Sequence, residues 1–121
     1  MSDIEDAMRQ ELGAHLVQAY GDLATVALNL PIPVALPSGI VSNVEAVPAV
    51  RRLLEITRDQ PMPEEPQATL FAACAFWLGA EELFRLLCAE FIEARAHACA
   101  ANLITADGAL EDLANFLHGL K

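Results

Sequence analysis

The feature that most constrains this chain is a long apolar stretch, Ala68–Ala94, that contains no proline. It holds four of the five phenylalanines and the only tryptophan of the sequence. Gly79 and Ala80 divide the stretch, and the apolar spacing on either side predicts two helices, over Gln67–Leu78 and Ala80–Ala98. A chain that concentrates its aromatic side chains in this way is predicted to build a helical core or a contact surface.

A helix is also predicted at the amino terminus. Ser2 and Glu5 have the spacing of a capping box, in which the serine hydroxyl accepts a bond from the backbone three residues later. Asn29 and Pro31 are expected to end this helix. Apolar residues recur through it at helical spacing, at Ile4, Met8, Leu12, Leu16, Tyr20, Leu23 and Ala27.

The segment Pro31–Ser42 cannot be helical because it contains three prolines. Its β-branched residues predict one or two short edge-like strands around a turn. A second helix is predicted over Val47–Arg58, followed by the acidic, proline-rich loop Asp59–Pro66, and a last helix is predicted from Asp107. The expected fold class is α+β and predominantly helical, in a single domain over residues 1–121 with an atypical N-terminal helix over 1–30.

Composition narrows the classes of partner. The chain has 17 acidic and 7 basic residues and a net charge of −10, so it repels phosphate backbones and anionic lipid surfaces. The amino terminus lacks the apolar core of a secretory signal, and no uncharged, proline-free run approaches the roughly 20 residues that cross a bilayer. Cys74, Cys88 and Cys99 lie in apolar, helix-like sequence and are expected to be reduced and buried. These observations predict a cytoplasmic or nuclear protein that binds neither nucleic acid nor membrane.

No motif indicates catalysis. The three serines form no nucleophile elbow, and a buried thiol is a better interpretation of Cys88 and Cys99 than a cysteine–histidine pair with His15 or His97. The acidic pair Glu81 and Glu82 is expected to be solvated at a helix start. We therefore expect no catalytic residues, no metal and no cofactor, although an enzyme with an unrecognised site stays an alternative.

Three segments of the chain, taken in order, are similar to the BTB/POZ superfamily. They are Asn43–Ala46 leading into Ala49–Thr57, then Thr69–Leu78, then Leu83–Ile92, and the likeness covers roughly Val34–Ile104. It is greatest to the single-domain adaptor branch of S-phase-kinase-associated adaptors and elongin C. The predicted N-terminal helix departs from that family, which opens with a strand hairpin.

The resemblance implies a helical cluster with a few short strands and a non-catalytic role as a protein–protein adaptor. In a ubiquitin ligase it would join a cullin-type scaffold to the helices of a substrate receptor. Positions Ala75–Gly79 correspond to the segment that the family presents to the cullin, with Trp77 keeping its aromatic residue and Phe76 replacing an amide. The predicted partner-binding residues are Phe76, Trp77, Leu83, Phe84, Leu87 and Phe91.

Two questions stay open at the level of sequence. Trp77 and Phe76 could belong to the core or to an interface. The alternative function is a small acidic dimeric chaperone or a structural subunit of a larger assembly, for which a homodimer is expected.

Overall fold

The computed structural model describes residues 2–120, which form four α-helices and one 3-10 turn. The elements are α1 (Asp3–Leu28), α2 (Asn43–Glu55), the 3-10 turn (Thr57–Asp59), α3 (Glu64–Ala89) and α4 (Glu93–Gly119).

The three long helices pack against one another. α3 and α4 are antiparallel neighbours joined by three residues, and the Cys99 thiol of α4 donates to the Ala80 carbonyl of α3 at 3.4 Å. α1 runs antiparallel to α3 and contacts both α3 and α4. The indole nitrogen of Trp77 in α3 donates to the Leu16 carbonyl of α1 at 3.0 Å. α2 covers a further face of α3.

The core of this bundle is built mainly from leucine and alanine. Every helix contributes an apolar stripe to it, and burial of such side chains stabilises the fold by roughly 1.5–3 kcal/mol for each leucine. The fully buried leucines are Leu23, Leu53, Leu70, Leu87, Leu103 and Leu113.

The predicted N-terminal helix is confirmed. Ser2 is its N-cap and its side-chain oxygen accepts a bond from the Glu5 amide at 3.1 Å. The helix ends at Leu28, with Asn29 as its C-cap. This element formed as predicted because both of its boundaries are coded by local residues.

The expected α+β fold class is wrong, since none of the residues 2–120 lies in a β-strand. The segment between α1 and α2, where strands were predicted, crosses the bundle without a strand partner. Side chains take the place of that partner: the Gln60 amide group both donates to the Ile32 carbonyl (2.8 Å) and accepts from the Ile32 amide (2.9 Å). β-branched residues favour an extended backbone, but a strand also requires a second chain segment beside it.

The predicted joint at Gly79 is also wrong, because α3 continues through it to Ala89. Gly79 instead marks the close approach of two helices. A Cβ atom placed there would lie 3.1 Å from the side-chain nitrogen of Asn102 in α4. The absence of a side chain at this position therefore serves helix packing, not a turn.

The actual break between α3 and α4 occurs at 90–92, inside the predicted helix Ala80–Ala98. Glu90 and Ile92 are extended there. Arg95 donates to the Glu90 carbonyl at 3.2 Å, and Arg9 of α1 donates to the Leu87 carbonyl at 3.3 Å. Because one of these caps comes from a residue far away in the sequence, local spacing could not locate the break.

Three other predictions are corrected, two on helix boundaries and one on the exposure of a side chain. The last helix does not begin at Asp107, since α4 is continuous from Glu93. α2 begins at Asn43, earlier than predicted, and includes Pro48 as its sixth residue, so the helical bond that an N–H there would donate to the Val44 carbonyl is absent. Glu81, expected to be solvated, is buried within α3 and accepts from Arg85 at 2.8 Å.

Candidate functional site

An apolar groove of about 460 Å³ lies between α1 and the segment that connects it to α2. We call it the α1 groove. One wall is a stripe of α1 at spacings of three and four residues, which places its members on one face of the helix. The stripe consists of Val17, Gly21, Ala24 and Leu28.

The opposite wall is the connecting segment itself, from Ala35 to Val41, and the floor is aromatic. Tyr20 and Trp77 contact each other there with ring centroids 5.5 Å apart and planes tilted by 48°. This tilted packing is a favourable arrangement of two aromatic rings. Trp77 is 3% exposed, so only its edge reaches the groove.

Tyr20 fixes the connecting segment to the bundle. Its hydroxyl donates to the Pro37 carbonyl at 2.6 Å. Burial raises the pKa of this hydroxyl, and the nearby carboxylate of Glu45 raises it further. The hydroxyl therefore keeps its proton at neutral pH and acts as a hydrogen-bond donor.

The groove is uncharged along its described lining. Its polar side chains are the floor residue Tyr20 together with Thr25, Ser38 and Asn43, and the Thr25 hydroxyl already donates to the Gly21 carbonyl at 3.1 Å. Gly39 has a φ of +85°, a backbone conformation that residues other than glycine rarely adopt. It turns the segment at the end of the groove. Such a lining is suited to desolvating apolar groups.

Apolar side chains surround the mouth of the groove. Val17 is 71% exposed and Leu28 is 57% exposed, and both line it. Ile40 and Val44 are exposed and adjoin lining residues in the sequence. Val17 and Leu28 thus expose apolar surface at the groove itself, and exposed apolar surface beside a cavity is typical of an interaction site.

The partner-binding residues predicted from the sequence lie elsewhere, and the structure does not bring them together on one exposed surface. Trp77 and Leu87 are buried in the core. Phe76 is 37% exposed. Leu83, Phe84 and Phe91 are half-buried and pack against the core.

Two of those aromatic residues tie α1 to the end of α3. A Cβ atom at Gly13 would lie 3.1 Å from the Phe84 ring, so that ring packs directly onto the α1 backbone. The guanidinium of Arg9 lies 5.3 Å from the centroid of Phe91. These contacts give Phe84 and Phe91 a role in helix packing.

The sequence analysis missed the α1 groove, although α1 carried a signal for it. Val17, Ala24 and Leu28 form a second apolar stripe beside the core stripe, which includes Leu12, Leu16 and Leu23. A helix that is apolar over two faces needs a second surface to bury the second face. The other wall could not be predicted, because the position of the segment Ala35–Val41 depends on contacts with Tyr20 and the bundle.

Two of the three cysteines are buried and protonated. Cys74 and Cys99 are buried as expected, but Cys88 is exposed. Burial raises the pKa of Cys74 to about 12. Burial also raises the pKa of Cys99, with a further contribution from Cys88, so both buried thiols stay protonated at neutral pH. Within residues 2–120, no group of three or more histidine, cysteine or carboxylate side chains is placed to hold a metal ion.

Comparisons of the chain with family models, curated proteins and solved structures gave no match. The BTB/POZ resemblance therefore stays a prediction, while the strands that it implied are absent from residues 2–120. None of the helices in this part of the chain is both long and apolar enough to cross a bilayer.

Proposed function

We propose that this chain is a non-catalytic protein–protein interaction module that holds another polypeptide in the α1 groove. The observation that carries the proposal is the exposed apolar wall of α1, with Val17 and Leu28 largely in solvent beside an uncharged cavity. Covering such a wall gains about 25 cal/mol for each Å² of apolar surface removed from water. A polypeptide can supply side chains along the whole wall.

The aromatic floor supports the same proposal. Tyr20 and Trp77 are both held by hydrogen bonds, to the Pro37 carbonyl and to the Leu16 carbonyl. A partner therefore meets a preorganised surface and pays little conformational entropy on the module's side. Rigid aromatic residues at the base of a pocket are typical of the sites that dominate interface energies.

A ubiquitin-ligase adaptor is a narrower form of this proposal. It would require Phe76 and Trp77 to reach a cullin-type scaffold. Of the two, only Phe76 is exposed, because Trp77 is used between α1 and α3. We therefore assign the contact surface to the α1 groove and leave the class of assembly open between an adaptor and a structural subunit.

The proposal is tested by two matched charge substitutions. Val17→Glu places a carboxylate on the wall of the groove, whereas Ile104→Glu places one on α4 at a residue that is 65% exposed and does not line the groove. Both positions face solvent, so we expect the circular dichroism and thermal unfolding of both variants to match the wild type within about 0.5 kcal/mol.

The measurement is recovery of a stoichiometric partner by affinity purification from the source cells, together with sedimentation of the isolated chain. We expect the wild type and Ile104→Glu to recover the same dominant protein and Val17→Glu to lose it at least tenfold. Equal recovery by both variants would remove the groove from the contact. A chain that recovers no partner and sediments as a homodimer through this wall would favour the dimeric alternative.

A further inference from the structure

The connecting segment presents an unpaired main chain along the α1 groove. Besides the bonds between Ile32 and Gln60, it is attached to α1 at two points, where the Val34 amide donates to the Ala27 carbonyl (2.9 Å) and the Pro37 carbonyl accepts from Tyr20 (2.6 Å). Among the described residues, no hydrogen bond involves the amides of Ala35, Leu36 and Ser38. In an extended chain the amides of Leu36 and Ser38 lie on one edge and that of Ala35 on the other, so the pair at Leu36 and Ser38 is available to a single partner strand.

The side chains of this segment alternate as they do in a strand. Val34 and Leu36 pack against the core, whereas Ala35 between them is exposed. Proline at 37 keeps the preceding residue extended. In this segment every second side chain faces the core, and part of the main chain makes no hydrogen bond. Both features are those of a strand at the edge of a sheet that lacks a neighbouring strand.

The length of the groove fits an extended peptide. Its α1 wall runs from Val17 to Leu28, a rise of roughly 16 Å at 1.5 Å for each helical residue. An extended chain covers that distance with about five residues. In an extended peptide, every second side chain would enter the space between the α1 wall and the floor formed by Tyr20 and Trp77.

The charge of this protein predicts which residues should flank the apolar part of such a peptide. The described lining is uncharged, so the central residues must be uncharged and apolar. Glu45 lies near Tyr20 at the groove, and the chain as a whole carries −10. Basic residues flanking the apolar segment would be attracted to this surface and would speed its association.

We propose that the α1 groove binds an extended segment of a partner protein, with about five apolar residues between Lys or Arg flanks, that pairs with the main chain of Ala35–Ser38. Recognition is then by strand addition, in which main-chain hydrogen bonds supply affinity and alternate side chains supply specificity. This inference rests on the proposed function and narrows it, since a helical partner or a second copy of the chain would use the same wall without main-chain pairing.

The probe is the blocked peptide Arg-Val-Leu-Val-Leu-Val-Arg, added to the isotopically labelled full chain. Two analogues carry N-methyl groups on alternate residues, each removing the N–H donors of one peptide edge. We expect the parent to slow hydrogen exchange at Leu36 and Ser38 at least tenfold, to leave Ala35 on the opposite edge unprotected, and to shift the emission of the only tryptophan, Trp77. One N-methyl analogue should bind at least tenfold more weakly than the parent.

Filling the groove supplies a second test. A Cβ atom at Gly21 or at Gly108 would meet nothing within 4 Å, so a leucine side chain leaves the backbone without a clash at either position, and leucine favours the helix over glycine. Only Gly21 lines the groove. We expect Gly21→Leu to weaken parent binding at least tenfold and Gly108→Leu to leave it unchanged.

Three outcomes would overturn strand addition: no binding of the parent peptide, binding without protection at the amides of Leu36 and Ser38, or equal binding by both N-methyl analogues and the parent. Equal affinity of the two glycine variants would place the peptide outside the groove. None of these results would disturb the recovery of a native partner by wild type and its loss in Val17→Glu, so the failure of this inference is distinct from the failure of the proposed function.

Discussion

At the scale of single residues, Trp77 shows why an aromatic side chain in an apolar helix is ambiguous. Its neighbours in the sequence are equally compatible with burial and with exposure. The structure decides the matter through a bond that no local pattern encodes, from its indole nitrogen to the Leu16 carbonyl. The capping by Ser2 could be predicted because donor and acceptor are three residues apart, whereas Trp77 and Leu16 lie on different helices.

Cys74 gives a prediction for pH dependence. Burial raises its pKa to about 12 from an ordinary value of 9.0, so the unfolded chain loses this proton before the folded one does. The stability that the thiol contributes is complete below pH 9 and declines as the pH rises from about 9 to 12, by up to roughly 1.4 kcal/mol for each pH unit.

The measurement compares urea unfolding of the wild type and Cys74→Ala across that range. At neutral pH the variant should be less stable by about 1 kcal/mol, because a small cavity is left. The wild-type free energy of unfolding should fall more steeply above pH 9, so that the two curves converge and then cross. Parallel curves from pH 7 to 12 would contradict the burial of this thiol.

At the scale of elements, segments that cannot be helical are easier to predict from the sequence than the residues at which helices end. The prolines of Pro31–Ser42 correctly exclude a helix, but whether an extended segment becomes a strand depends on a neighbour that the sequence does not reveal. Gly79 was interpreted as a joint because glycine often ends a helix. Its function is a close approach to Asn102, and that depends on the packing of α4 against α3.

Leucine substitutions at Gly79 and at Gly108 are expected to change the stability of the protein in opposite directions. Gly79→Leu inserts a side chain against Asn102 and should lower the free energy of unfolding by about 1–3 kcal/mol, since overpacking exceeds the gain in helix propensity. Gly108→Leu, at an open position, should raise that free energy by up to about 1 kcal/mol. Chemical denaturation of the two variants measures both changes. If Gly79→Leu proved as stable as Gly108→Leu, the close contact of α3 and α4 at this point would be wrong.

At the scale of the whole molecule, the bundle closes its core but leaves one face of α1 uncovered. Leucines and alanines from all four helices meet in the centre, and the second apolar stripe of α1 borders the α1 groove instead. Because a helical stripe can be detected in a sequence, one wall of the groove could have been anticipated. The other wall could not, since it is placed by Tyr20 and Gln60 across the chain.

The uncovered face of α1 also contrasts with the charge of the rest of the molecule. A net charge of −10 keeps isolated chains apart, while the groove itself is uncharged. Under the proposed function, the molecule would combine general repulsion between copies with one apolar site for a partner. A partner of opposite charge would overcome the repulsion that disfavours self-association.

Site-specific photo-cross-linking tests most directly whether the α1 groove is the contact surface. A benzophenone amino acid replaces Val17 in one variant and Ile104 in a matched control, and adducts formed in the source cells are mapped by mass spectrometry. We expect the Val17 variant to cross-link to one segment of a single partner protein, and the Ile104 variant to give no such adduct. Adducts of equal yield from both positions, or only within the chain itself, would contradict a polypeptide-binding groove.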